Sequence, residues 1–195
     1  MMNRREALKR TAWMMGGVLS SSAIAGVLQG CKATPEVDWQ PKFLSQEQAA
    51  TMSDIAERIL PKTSTPGAKD AGVPQFIDTM LNDVYTDEEK QRFAAGVDEV
   101  EQASQQEYGD AFVDLEPAQQ DELLKKFAAQ AEQEANQQAK DDPKKPFFPM
   151  VKELTMLGFF TSEVGCNEFL QYIAVPGRYD GCMPVSEAGG RAYAT

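Results

Sequence analysis

Apolar residues recur at helical spacing through most of the chain, and no stretch alternates in the manner of a half-buried strand. The first stripe is Met52, Ile55, Ala56, Ile59 and Leu60. Ser45 opens it, with Gln48 completing a capping box, and Pro61 stops it. Turn residues crowd Pro61 to Gly72, after which Pro74 is placed to begin a second helix burying Phe76, Ile77, Met80, Leu81 and Val84. Thr86 with Glu89 is another capping box and predicts a third helix, with Phe93, Val97 and Val100 inward. The chain turns near Gly109, and Pro117 starts a fourth helix in which Leu123, Leu124, Phe127 and Ala128 face the core. Beyond a proline-broken loop from Asp141 to Pro149 comes the most apolar segment: Phe148, Val151, Leu154, Met156, Leu157, Phe159 and Phe160. It predicts a central helix from Met150 to about Glu163, with a further turn or helix through Glu168 to Ile173. The tail from Val175 has no period. The pattern predicts an all-α fold, a single irregular helical bundle without internal repeats.

Residues 1–30 do not belong to that bundle. Arg4 and Arg5, followed by Leu8 and Lys9, resemble a twin-arginine export motif, an address read by a receptor. A weakly apolar stretch from Thr11 to Leu28 follows, too rich in small residues for a comfortable membrane span. Leu28-Gln29-Gly30-Cys31 resembles a lipobox, in which Cys31 takes a diacylglycerol and becomes the new N-terminus. Gln29 departs from the small residue favoured there, and cleavage after Ala25 competes with the lipobox reading. Acyl chains on Cys31 would hold the protein firmly, since each buried methylene contributes about 0.8 kcal/mol. Residues 31–43, with Pro35 and Pro41, read as a tether whose Trp39 docks on the body or on a partner. Residues 44–195 form the helical domain.

An exported chain with a lipidated Cys31 leaves Cys166 and Cys182 in an oxidising compartment. A mutual disulfide, a bridge to a partner chain and two unpaired thiols all remain open.

The chain contains no histidine, which removes the commonest general base and the usual ligand of zinc, copper and haem. A Ser-His-Asp or Cys-His site is therefore impossible, and no catalytic, metal or cofactor-binding residue is expected. The formal net charge is −11, and Arg4, Arg5, Lys9 and Arg10 against Glu6 put +3 of it in the first thirty residues. The remainder stands at −14, a balance that repels nucleic acid. Glu163 and Glu168 lie beside the apolar segment, where a salt bridge or cap is the simpler role than a catalytic acid. Asp141-Asp142 beside Lys144-Lys145 reads as a solvated loop. Arg178 and Tyr179, in a Pro176-Gly177 turn, are residue types that anchor interfaces, although a local ion pair and packing on the bundle would also account for them. Twin-arginine export carries folded proteins, so a chain with no visible cofactor is expected to escort a partner that has one.

Three stretches together are similar to one family. Ile59-Leu60-Pro61 with Thr63, then Thr65-Pro66-Gly67-Ala68 and Ala71-Gly72-Val73 with Phe76-Ile77-Asp78, resemble the signature loop of the gluconate 2-dehydrogenase subunit 3 family. Gly158-Phe159-Phe160-Thr161-Ser162-Glu163 and Val175-Pro176-Gly177-Arg178-Tyr179-Asp180-Gly181-Cys182 resemble its C-terminal pattern. The resemblance runs from about Leu44 to Val185. It implies the small subunit of a membrane-associated sugar or sugar-acid dehydrogenase. The partner would be an FAD flavoprotein of the glucose-methanol-choline type, with a multihaem cytochrome c as a further subunit in some complexes. It implies no cofactor in this chain. Thr65, Pro66, Gly67, Pro176, Gly177, Arg178 and Tyr179 become candidates for the partner contact. The lipobox is a departure that not all relatives carry.

Overall fold

A computed structural model describes residues 35–137, 145–175, 177 and 180–194. Arg4, Arg5, Cys31, the Asp141-Asp142 loop, Pro176, Arg178 and Tyr179 lie outside the described residues.

The fold is all-α, as the periodicity requires. Its helices are α1 (Gln46–Ile59), α2 (Val73–Asp83), α3 (Asp87–Tyr108), α4 (Pro117–Gln137) and α5 (Phe147–Thr161), with a 3₁₀ turn at Phe112–Asp114 and a π turn at Gly165–Phe169. Both capping boxes form: the Ser45 hydroxyl accepts from the Gln48 N–H, the Thr86 hydroxyl from that of Glu89, and each N3 side chain reaches back to its cap. The Thr86 N–H and hydroxyl in turn hold the Glu89 carboxyl below its ordinary pKa.

Helix α5 is apolar around most of its circumference and packs against all four of the others, while α1 touches α2, α3 and α4. Met52 and Ile55 of α1, Ile77 and Leu81 of α2, Phe93 and Val97 of α3, Leu123 of α4, and Met150 and Leu154 of α5 meet in one core. Polar groups taken inside are matched: Thr155 Oγ1 donates to Val151 O at 2.7 Å, Ser104 Oγ to Asp110 O at 2.8 Å, and Gln120 Nε2 to Phe112 O at 2.9 Å.

Three boundaries differ from the sequence pattern, each for a local reason. Gly72 takes a left-handed conformation (φ 68°), so Val73 is already helical and Pro74 occupies the second position of α2 rather than the first. Val84, expected in the core, falls just past the end of α2 and is exposed. Helix α5 begins at Phe147, three residues before Met150, because Pro149 sits in the first turn, where its missing N–H has no intrahelical partner to lose. At the other end Ser162 folds back, its hydroxyl donating to Phe159 O at 2.7 Å and accepting the Gly165 N–H at 2.9 Å. A two-residue parallel pair, Gln171↔Tyr193 and Tyr172↔Ala194, closes the C-terminal segment and is too short to leave a period in the sequence.

The stretch read as a tether lies on the bundle over much of its length. Val37, Trp39 and Phe43 pack against the core. The Val37 N–H donates to Gln46 Oε1 at 3.1 Å, and Gln46 Nε2 donates to Trp39 O at 3.2 Å. Asp78 of α2, 1% exposed, accepts the backbone N–H groups of Lys42, Phe43 and Leu44 at 2.6, 3.2 and 2.9 Å. A buried carboxylate is thus satisfied by three backbone donors.

Candidate functional site

The turn-rich loop between α1 and α2 is organised by Glu57, near the end of α1. Its two carboxylate oxygens accept the N–H of Lys62 and the N–H of Lys69, each at 2.9 Å, clamping the loop at both ends. Ala68, fully buried, donates its N–H to Leu60 O at 2.9 Å. Gly67 passes so close to the clamp that a β-carbon there would stand 2.6 Å from the Lys62 nitrogen. Only glycine fits that position. Lys69 pairs with Asp54 on the preceding turn of α1.

On the outside of the loop Lys62 Nζ lies 2.9 Å from Asp70 Oδ2, while the Gly67 N–H donates to Asp70 at 3.3 Å. The Lys62 ammonium, and secondarily the Gly67 N–H, hold the Asp70 carboxyl below its usual value. The Asp70 carboxylate raises Lys62 in return, with smaller contributions from Glu57 and then Glu168. The Glu168 contribution brings in a residue about a hundred positions along the chain. Lys62, Thr63, Ser64, Thr65, Pro66 and Asp70 form one wall of an open cleft whose other wall is Val164 and Glu168 of the C-terminal segment.

Phe169 is the last residue of the π turn and 39% exposed. Its ring meets Phe159 and Phe160 of α5 edge-on, each at 5.6 Å between centroids, and those two meet each other at 5.3 Å. Met156 and Leu157 lie one helical turn before Phe160 and are 36% and 43% exposed. Phe169, next in sequence to Glu168 of the cleft wall, thus joins Phe160 of α5, and Met156 and Leu157 extend the exposed apolar positions one turn back along that helix. Tyr172 and Val175 continue the exposed apolar positions beyond it. Grouped apolar side chains on a surface are the mark of an interaction site.

Of the residues singled out from the sequence, Thr65 and Pro66 are half-buried on the cleft wall, and Gly67 is buried beneath it. Gly177 is exposed and left-handed (φ 83°). Pro176, Arg178 and Tyr179 are outside the described residues, as above. Cys166 and Cys182 are free thiols: Cys166 Sγ donates to Phe160 O at 3.4 Å, and Cys182 is exposed. Glu163 and Glu168, adjacent to the apolar segment in sequence, are exposed rather than buried, because both lie beyond the end of α5. The sequence reading missed Glu57 as the centre of the loop, and Leu157 and Phe169 as surface positions. An acid in a helical stripe carries no mark of its target, and in a helix as apolar as α5 only Lys152 and Glu153 mark the uncovered side.

Among the described residues no group of three or more Cys, Asp or Glu is arranged to hold a metal, and no helix is long and apolar enough to cross a membrane.

The family model for gluconate 2-dehydrogenase subunit 3 matches residues 46–177. The chain belongs to the gluconate 2-dehydrogenase subunit 3 family. No curated protein and no solved structure matches it. The family is described as one subunit of a dehydrogenase, and the matched region takes in α1 to α5, the clamped loop and the π turn. The signature loop of this subunit 3 chain, through Thr63, Thr65 and Pro66, faces Val164 and Glu168, just past the Gly158–Glu163 stretch, across one cleft.

Proposed function

We propose that this chain is the non-catalytic small subunit of a periplasmic, FAD-dependent dehydrogenase whose flavoprotein is of the glucose-methanol-choline type. In this reading it is exported by the twin-arginine route through Arg4 and Arg5, escorts the folded flavoprotein, stabilises it, and anchors it through a lipid on Cys31. The FAD belongs to the partner, and a multihaem cytochrome c is the candidate electron exit. The observation that carries the reading is the convergence of the Thr65-Pro66-Gly67 loop with Val164 and Glu168, together with the exposed apolar side chains Met156 and Leu157 of α5 and Phe169 next to Glu168. A partner-facing surface of that kind suits a subunit better than a self-sufficient body. The absence of histidine from the whole chain agrees with redox chemistry carried elsewhere.

The test is capture from detergent-solubilised membranes through a C-terminal tag, followed by an absorbance spectrum and mass spectrometry. A co-purifying yellow flavoprotein, which stays cytoplasmic or becomes unstable when this gene is deleted, is the expected result. A colourless, solitary lipoprotein would instead favour an independent periplasmic binding protein. Normal export of the flavoprotein without this chain would end the escort role.

A further inference from the structure

We infer that the body is held close against the bilayer surface, because the segment following Cys31 is mostly consumed in docking onto the bundle. The inference rests on the lipid-anchor reading of Cys31 and adds a geometric constraint to it.

The constraint is covalent. Leu44 is thirteen residues beyond Cys31, and an extended chain of that length would let the body stand about 45 Å from the anchor. The structure fixes the chain much earlier. Val37 and Trp39 are tied to Gln46, and Lys42, Phe43 and Leu44 are tied to Asp78. Asp78 is buried and its three donors are backbone groups, so releasing the segment would leave a carboxylate without its partners in the interior. Only residues 32–36 remain between an acylated Cys31 and the first fixed contact, a reach of about 20 Å at full extension.

Charge does not do this work. Glu36 and Asp38 are exposed beside the docked segment, and a strongly acidic body is repelled by anionic headgroups. The apposition is therefore set by the number of residues between Cys31 and the docked segment and is insensitive to salt. A partner bound to this chain is carried at the membrane surface rather than on a long stalk.

The experiment places an energy donor on the body. Trp13 leaves with residues 1–30, so Trp39→Phe removes the remaining tryptophan of the processed chain. Val84→Trp then puts a donor at an exposed position, next to Asp83, whose carboxylate lies 4.0 Å from Lys42 Nζ of the docked segment. The acylated full chain is reconstituted in phosphatidylcholine vesicles carrying a dansyl-labelled phosphatidylethanolamine, and the mass of the N-terminal peptide is measured on the same sample. Transfer should be strong, unchanged by salt, and reduced several-fold by a Gly-Ser spacer of about ten residues inserted after Ala33. Asp78→Ala in the same background should also reduce it, and the spacer variant serves if that substitution prevents folding. Acylated protein with equal transfer in the parent and spacer chains would overturn the inference and leave the anchor standing. A peptide mass without acyl groups would remove the anchor, and the inference with it.

Discussion

Gly96 of α3 lies directly under the ring of Phe147, the first residue of α5, and a β-carbon at Gly96 would occupy ring atoms. The same ring meets Phe93 edge-on at 5.3 Å, one turn earlier on α3. The start of α5 is thus seated in a notch made by the missing side chain. Gly96→Val forces Phe147 out of the notch and should cost about 1–3 kcal/mol by overpacking, despite removing a glycine from a helix interior. Urea unfolding should show a lower midpoint with an unchanged slope; a stability equal to the parent would mean the notch is not filled.

Asp78 closes the docked segment by accepting three backbone donors. Asp78→Ala takes away all of their acceptors and should destabilise by about 2–3 kcal/mol, with Asp78→Asn intermediate because one carbonyl oxygen remains. Hydrogen exchange at the Lys42, Phe43 and Leu44 amides distinguishes this from a general loss of stability. Those three should speed up far more than amides of α5. Uniform acceleration across the chain would speak against a local pin.

Much of this arrangement was legible in the residues, and the illegible part has a common cause. Ser45 with Gln48 and Thr86 with Glu89 announce their helix starts because a capping box is a local motif, complete within four residues. Phe93, Val97 and Val100 announce an inward face because polar residues surround them. Leu157 is hard to assign from sequence because apolar residues dominate α5, and only Lys152 and Glu153, one turn earlier, mark the uncovered side. Glu57, Asp70 and Asp78 act on backbone groups up to thirty-six residues away, and nothing in their immediate surroundings names those groups. The Thr65-Pro66-Gly67 loop is recognisable by itself, but its meeting with Val164 and Glu168 across one cleft is a tertiary fact.

The Lys62–Asp70 pair gives the loop an acid-sensitive contact. Asp70 has a lowered pKa in the folded chain, so its contribution is present above the unfolded carboxylate value and is lost as pH falls through the lowered one. Lys62 is raised, so its share is present below the ordinary lysine value and is lost only as pH rises through the higher one. Between those limits the contact is intact. Carbon-detected NMR titration of the Asp70 carboxyl should place its midpoint below that of an isolated aspartate. Lys62→Ala should move it upward, leaving the weaker effect of the Gly67 N–H. An unmoved midpoint would show that the ammonium does not set it.

Leu157 offers the most selective test of the surface, because it is 43% exposed yet sits one turn from Phe160, whose ring is joined to Phe169. Leu157→Asp leaves the buried face of α5 in place and gives up only the half-buried part of one side chain and some helix propensity, so stability should fall by about 1 kcal/mol with the helical signal little changed. At an interface the same substitution strands a carboxylate among apolar groups, and affinity should fall at least about tenfold, equivalent to about 1.4 kcal/mol. The measurement is the yield of flavoprotein captured with the tagged chain, set beside a melting curve of the chain alone. Lost capture with only that small fall in stability would place the partner on the apolar side chains of Met156, Leu157, Phe160 and Phe169. Full capture would move the interface elsewhere, with the Thr65-Pro66-Gly67 side of the cleft next to be substituted.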